Sequence, residues 1–173
     1  GLDNFKFLIK SGTLWTITRN TLLYNIVFII TGNILEVTVA ILISRMITKI
    51  YKKTLQAVMF LPYFVSSVIL GVLAYNLFGY DHGLINSFLT KIGAEKLDIY
   101  NTPKYWPIII TITYLIKNVG YGMIIYLSAI TGINEEYYEA AQIDGANIFQ
   151  QVRFITLPLL KPTFITLLIY SMG

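Results

Sequence analysis

The chain has 173 residues, 55% apolar and 13% charged, with a formal net charge of +4 and no cysteine. A soluble domain carries about 25% charged residues; here half of that is missing and the apolar residues run in long blocks, which is the composition of a membrane protein. The missing cysteines exclude a disulfide framework and a thiolate metal site, and cations set beside apolar blocks are topology signals rather than a nucleic-acid surface.

In chain order, residues 1–20 form an opening segment whose part 3–20 is too polar to cross a bilayer. Phe5, Leu8, Ile9, Leu14 and Trp15 predict an interfacial helix on the outer surface, with Trp15 at headgroup depth. A first span follows at residues 21–44, near the ~20 residues that a crossing needs. It carries Glu36. A mid-span acid costs roughly 2.5–3.5 kcal/mol for insertion, while each central Leu, Ile, Val or Phe returns roughly 0.3–0.6. The run from Leu22 to Ile43 holds enough such residues to outweigh it.

Arg45, Lys49, Lys52 and Lys53 then crowd one short loop with no acid among them. A second span is expected at residues 55–78, where Pro62, four residues before Ser66-Ser67, predicts a kink. The loop 79–106 spreads only Lys91, Lys96 and Lys104 along its length, and its lone His82 has no ligand partner at useful spacing. Positive-inside bias puts the first loop in the cytoplasm and this one outside. Tyr100, Tyr105 and Trp106 mark the outer interface.

The third span, residues 107–131, contains Lys117 near its midpoint. Intramembrane ionisable groups are functional candidates. A Glu36–Lys117 pair is one option, although their depths differ by about 8 Å. The other is that Lys117 lines a pathway with Asn118 and Tyr121, residue types suited to sugar hydroxyls and ring faces. For Tyr121 and Tyr126 helix packing is the favoured expectation, and Gly120 and Gly122 predict close helix contact.

By parity the stretch 134–158 returns to the cytoplasm. Asn134 is a good N-cap, and Glu135 and Glu136 follow where a helix dipole favours acids. Asp144-Gly145 supplies a bend. A second short helix, 146–154, is expected to lay Ile148, Phe149, Val152 and Ile155 against the floor of the bundle, and Leu157-Pro158 to end it. Ala140, Ala141, Gly145 and Ala146 leave room for a partner's backbone. On periodicity alone the hairpin could equally be a plain surface connection. A fourth span begins near Leu159 and is cut off at Gly173; with Gly1 in place of an initiator Met, the chain is expected to be a fragment of a longer protein.

The run Glu139-Ala140-Ala141, three residues, Gly145, nine residues, then Ile155-Thr156-Leu157-Pro158 resembles the cytoplasmic coupling loop of permease subunits in binding-protein-dependent ABC importers. Gly1-Leu2-Asp3-Asn4-Phe5, Asn20-Thr21-Leu22 and Gly83-Leu84-Ile85-Asn86 resemble further elements of the maltose-type carbohydrate and polysaccharide class, in the same order. The resemblance implies an all-α integral membrane bundle, a fragment of a six-span subunit in which residues 21–173 belong to the permease domain and 1–20 are extracytoplasmic. It implies a multi-pass protein of a bacterial plasma membrane, paired with a second permease, a cytoplasmic ATPase dimer and an extracytoplasmic solute-binding protein. Glu139, Ala140, Ala141, Asp144 and Gly145 would then form the contact with the ATPase, Glu139 pairing with one of its cations.

No phosphate-binding loop is present, since Lys53-Thr54 lacks both glycines. ATP and magnesium would be bound by the partner ATPase, and the chain itself is expected to need no cofactor and to catalyse no reaction. Three alternatives stay open: an ion-coupled transporter or channel using Glu36 and Lys117, a noncatalytic membrane scaffold, and an importer subunit for a solute other than a sugar.

Overall fold

The computed structural model describes residues 12–172. Phe5, Leu8 and Ile9 of the expected interfacial helix, and the resemblance at Gly1 to Phe5, lie outside the described residues. Helix α1, Thr13–Ser44, is one unbroken rod of 32 residues, about 48 Å long. Leu14 and Trp15 are therefore the first turns of the spanning helix and not a separate surface helix. The reason is local. No proline interrupts residues 13–44, and the polar side chains bond back to the preceding turn: Asn25 Nδ2 donates to the Thr21 carbonyl at 2.8 Å, Asn33 Nδ2 to Ile29 at 2.8 Å, and Thr31 Oγ1 to Val27 at 2.6 Å. Such bonds satisfy polar groups within the apolar stretch without water, and at the polar start Thr16 Oγ1 donates to the Gly12 carbonyl in the same way.

The second crossing is broken. Helix α2, Lys49–Phe60, runs into a 3-10 turn at Leu61–Phe64 and then into α3, Ser67–Phe78, with a bend of 95°. A kink at Pro62 was the sequence expectation; the chain instead leaves the helix. Pro62 sits at the start of the 3-10 turn, Val65 and Ser66 are extended with ψ of 127° and 150°, and Ser66 Oγ accepts from Ile69 N–H at 3.3 Å to restart the helix. A missing N–H at Pro62 and a ready N-cap four residues later together make a stop and a start.

The following loop carries α4, Leu84–Lys91, pinned by Asn86, which is 1% exposed. Its amide donates to the Tyr80 and Leu97 carbonyls at 3.2 and 2.9 Å and accepts from Leu97 N–H at 2.8 Å. Helix α5, Trp106–Thr131, crosses next. It lies beside α1 in the same direction: Phe28 stacks on Tyr114 at 4.1 Å, Tyr126 Oη donates to Asn33 Oδ1 at 2.8 Å, and Ile43 shares a core with Ile130. Two parallel neighbours require the intervening chain to travel back, and the bent α2–α3 pair makes that return.

After α5 come α6 (Glu136–Ile143), α7 (Ile148–Gln151), a π turn (Val152–Thr156), the short α8 (Leu157–Leu159) and α9 (Lys161–Met172), the last two separated by a 58° bend. Leu157-Pro158 does not end the helix as expected. The wider π turn supplies i→i+5 geometry just ahead of Pro158, the position where an α-helix would put a carbonyl against its ring. The bend comes afterwards.

The fold is an all-α membrane bundle. α1 and the segment Pro103–Thr131 are each long and apolar enough to cross a membrane, and the two bent pairs pass the same test when each is taken as one span. Its core is narrow: Ala40, Met123 and Tyr126 are fully buried, with Ile43, Leu127, Ile130, Leu160 and Leu167 around them. Two glycines set the seam. A Cβ on Gly120 would strike the Met59 carbonyl, and one on Gly122 would strike the Glu36 carboxylate, the close approach that small residues permit between membrane helices.

Candidate functional site

The hairpin between α5 and α9 is shaped almost entirely by its own hydrogen bonds. At its start Asn134 Oδ1 accepts from Glu136 N–H at 3.1 Å, and Asn134 Nδ2 donates to Glu136 Oε2 at 3.0 Å. Glu136 and Glu139 occupy the first turn of α6, where the dipole favours them. The helix ends in a Schellman motif. Ala146 N–H donates to the Ala141 carbonyl at 2.8 Å, Gly145 N–H donates to Gln142 at 3.0 Å, and Gly145 takes φ +77°. Only glycine adopts that conformation without strain, so the Asp144-Gly145 bend follows from residue type.

A second cap follows at once. Gln150 N–H donates to Asn147 Oδ1 at 2.9 Å while Asn147 N–H donates to Gln150 Oε1 at 2.8 Å, a reciprocal capping box. This helix faces the bundle differently from the expectation. Ile148 and Phe149 are 65% and 71% exposed, whereas Gln151 and Thr156 are buried and Val152 and Ile155 half-buried. Gln151 fixes that register: its Nε2 donates to the Ala146 carbonyl at 3.2 Å and its Oε1 accepts from Arg45 Nη1 at 3.2 Å. Ile143, at the tip, is 86% exposed. Ile143, Ile148 and Phe149 are thus exposed apolar residues of the hairpin, the last two on a face that helical spacing alone assigned to the bundle.

Glu139, Ala140, Asp144 and Gly145 are exposed and Ala141 is half-buried. Glu139 borders a cleft of about 480 Å³ together with Arg45, Lys52, Glu135 and Gln142. The loop that follows α1 therefore shares one end of the molecule with the hairpin. At the opposite end, Asn20 and Tyr24 share a groove with Tyr100 and Trp106.

The intramembrane candidates divide. Asn118 and Tyr121 open onto a cavity of about 140 Å³ that also takes in Glu36, Tyr63 and Tyr170. Tyr63 stacks on Tyr121 at 4.8 Å and Tyr170 tilts against Tyr121 at 6.1 Å. Lys117 turns to a neighbouring cleft, where its Nζ donates to Ser67 Oγ at 3.2 Å. The Glu36–Lys117 pair is not formed, because the Glu36 carboxylate lies on the other side of α5 against Gly122. Sequence spacing missed Tyr63 and Tyr170, which reach this cavity only through the broken second crossing and α9. Among the described residues, no group of His, Asp or Glu could hold a metal ion.

Residues 36–173 match the family model described as "Binding-protein-dependent transport system inner membrane component". The chain is 31% identical over its full length to the polygalacturonan/rhamnogalacturonan transport system permease protein YteP of Bacillus subtilis, covering 54% of that protein. It is 28% identical over 98% of its length to the trehalose/maltose transport system permease protein MalF of Thermococcus litoralis, covering 57% of it. Among solved structures, a bacterial ABC transporter involved in the import of the acidic polysaccharide alginate superposes with a TM-score of 0.91 at 32% identity, over all of this chain and 60% of that one. The chain spans about half the length of the curated relatives it matches. With the hairpin, the parallel spans and the matched residues in agreement, the chain belongs to the family of binding-protein-dependent transport system inner membrane components.

Proposed function

We propose that this chain is the membrane-spanning part of an ATP-driven importer for oligosaccharides, and that the hairpin is its coupling element on the cytoplasmic side of the plasma membrane. The observation that carries the reading is the form of the hairpin: a short acidic helix with small residues, turned by a left-handed glycine, with an exposed apolar residue at its tip. Its placement beside Arg45 and Lys52, in a segment that also carries Lys49 and Lys53, supports a cytoplasmic position by the positive-inside rule. The partner is a cytoplasmic ATPase dimer, which binds ATP and magnesium and seats Glu139, Ala140, Ala141, Asp144 and Gly145 in a cleft, with Ile143, Ile148 and Phe149 as apolar anchors. A second permease subunit completes the pathway.

The sugar reading draws on relatives described as transporting polygalacturonan, rhamnogalacturonan, trehalose and maltose. A binding protein outside the membrane is supported by the alginate transporter solved in complex with its pentasaccharide-bound periplasmic protein. Asn118 and Tyr121, with Tyr63 and Tyr170 beside them, are the pathway residues; Lys117 borders the adjoining cleft.

Glu139→Lys reverses one charge on an exposed helix and leaves the bundle alone. The expected outcome is normal membrane insertion with the co-purified ATPase reduced about tenfold, the effect of losing one contact worth about 1.4 kcal/mol. Wild-type recovery of the ATPase would defeat the coupling assignment.

A further inference from the structure

α5 is joined to the hairpin by the chain itself. α1 is not, yet it ends at the same place. Arg45, one residue past α1, is fixed to it by a backbone bond from its N–H to the Ile41 carbonyl at 3.3 Å. Its guanidinium meets both arms of the hairpin. Nη1 donates to Gln151 Oε1 at 3.2 Å in α7, and the guanidinium carbon lies 5.1 Å from the centre of the Tyr138 ring in α6.

Both partners are anchored behind the contact. Gln151 is 3% exposed and passes a second hydrogen bond to Ala146, next to the left-handed glycine. Tyr138 Oη shares a hydrogen bond of 2.9 Å with Thr156 Oγ1, and Thr156 is 2% exposed. A buried glutamine oxygen aimed out at a single cation is costly to leave unpaired. A guanidinium, with several donors in one plane and a face for stacking, is suited to holding two partners at once.

We propose that Arg45 is a positioning residue that clasps the two arms of the hairpin to the end of the first span, so that hairpin and α1 move as one body. This rests on the coupling role given above. Without the clasp, a force on the hairpin reaches α5 through the chain but reaches α1 only through loose apolar contacts. ATP turnover then proceeds while solute movement per ATP falls.

The test uses the full-length protein with its ATPase and partner permease in nanodiscs, carrying spin labels at Leu42→Cys on α1 and at Tyr137→Cys, an exposed position on α6 outside the residues assigned to the ATPase contact. The wild type is expected to give one narrow distance distribution. Arg45→Met is expected to broaden it, with solute moved per ATP lowered about fivefold or more, the low end of typical coupling energies. Arg45→Lys, which keeps the charge but not the fork, is expected to fall between them. Tyr138→Leu removes the ring face together with the bond to Thr156, and gives the same reading if Arg45→Met does not assemble. An unchanged distribution and an unchanged transport ratio in these variants would overturn the clasp. The importer reading is scored separately, by whether the ATPase co-purifies with the unmutated chain.

Discussion

The seam between α1 and α5 and the hairpin beyond them are held by opposite means. In the seam, Gly120 and Gly122 bring backbones and side chains into contact, Tyr126 and Asn33 share a buried hydrogen bond, and Met123 and Ala40 are wholly enclosed. The hairpin buries chiefly Gln151 and Thr156, which tie it to Arg45 and Tyr138. The rest of its form comes from a Schellman turn and a capping box, bonds between residues three to five apart, while Ile143, Ile148 and Phe149 stay open. Long-range packing gives the seam one arrangement; local capping lets the hairpin keep its shape with its surface free for a partner.

If that contrast is right, damage to the seam lowers global stability and damage to the hairpin does not. The largest effect is expected for Gly120→Leu, because a side chain there meets the Met59 backbone and not a yielding side chain. Overpacking of this kind costs about 1–3 kcal/mol or more, read as a large drop in melting temperature or in monodisperse yield from detergent. Tyr126→Phe comes next. It leaves Asn33 Oδ1 without its donor, a loss of about 1–2 kcal/mol within the bundle, seen as a fall of a few degrees in the melt. Asn147→Ala is the smallest. Removing one member of a capping box costs about 0.5–1 kcal/mol, and amide exchange over residues 147–151 is expected to quicken while the melt stays put. A global shift with Asn147→Ala equal to that of Tyr126→Phe would break the comparison.

The same contrast explains what was legible in the sequence. The third crossing, expected at 107–131, is found as Trp106–Thr131, and the first ends at Ser44 as expected, because apolar length and a loop of cations are composition signals. The Gly145 bend is legible because its cause is one residue type. Other features were not legible from composition. Thr13 to Asn20 read as polar, yet they continue unbroken into α1, where Thr16 Oγ1 donates to the Gly12 carbonyl. A run of apolar residues does not reveal direction, so Leu55 to Phe78 read as one span where Pro62 and Ser66 divide it. Ile148 and Phe149 have the spacing of an inward face, yet the buried Gln151, tied to Arg45 more than a hundred residues earlier in the chain, turns them outward.

The π turn at Val152–Thr156 has a consequence for helix phase. One surplus residue in a turn rotates all that follows by about 100° relative to an uninterrupted α-helix. Tyr170 faces Tyr121 across the membrane cavity on the far side of that offset. The tyrosine is therefore aimed by two things, the 58° bend after Leu159 and a count of residues some fifteen positions upstream, and two sequences of equal hydrophobicity that differed by one residue there would present different faces of this last helix to the interior.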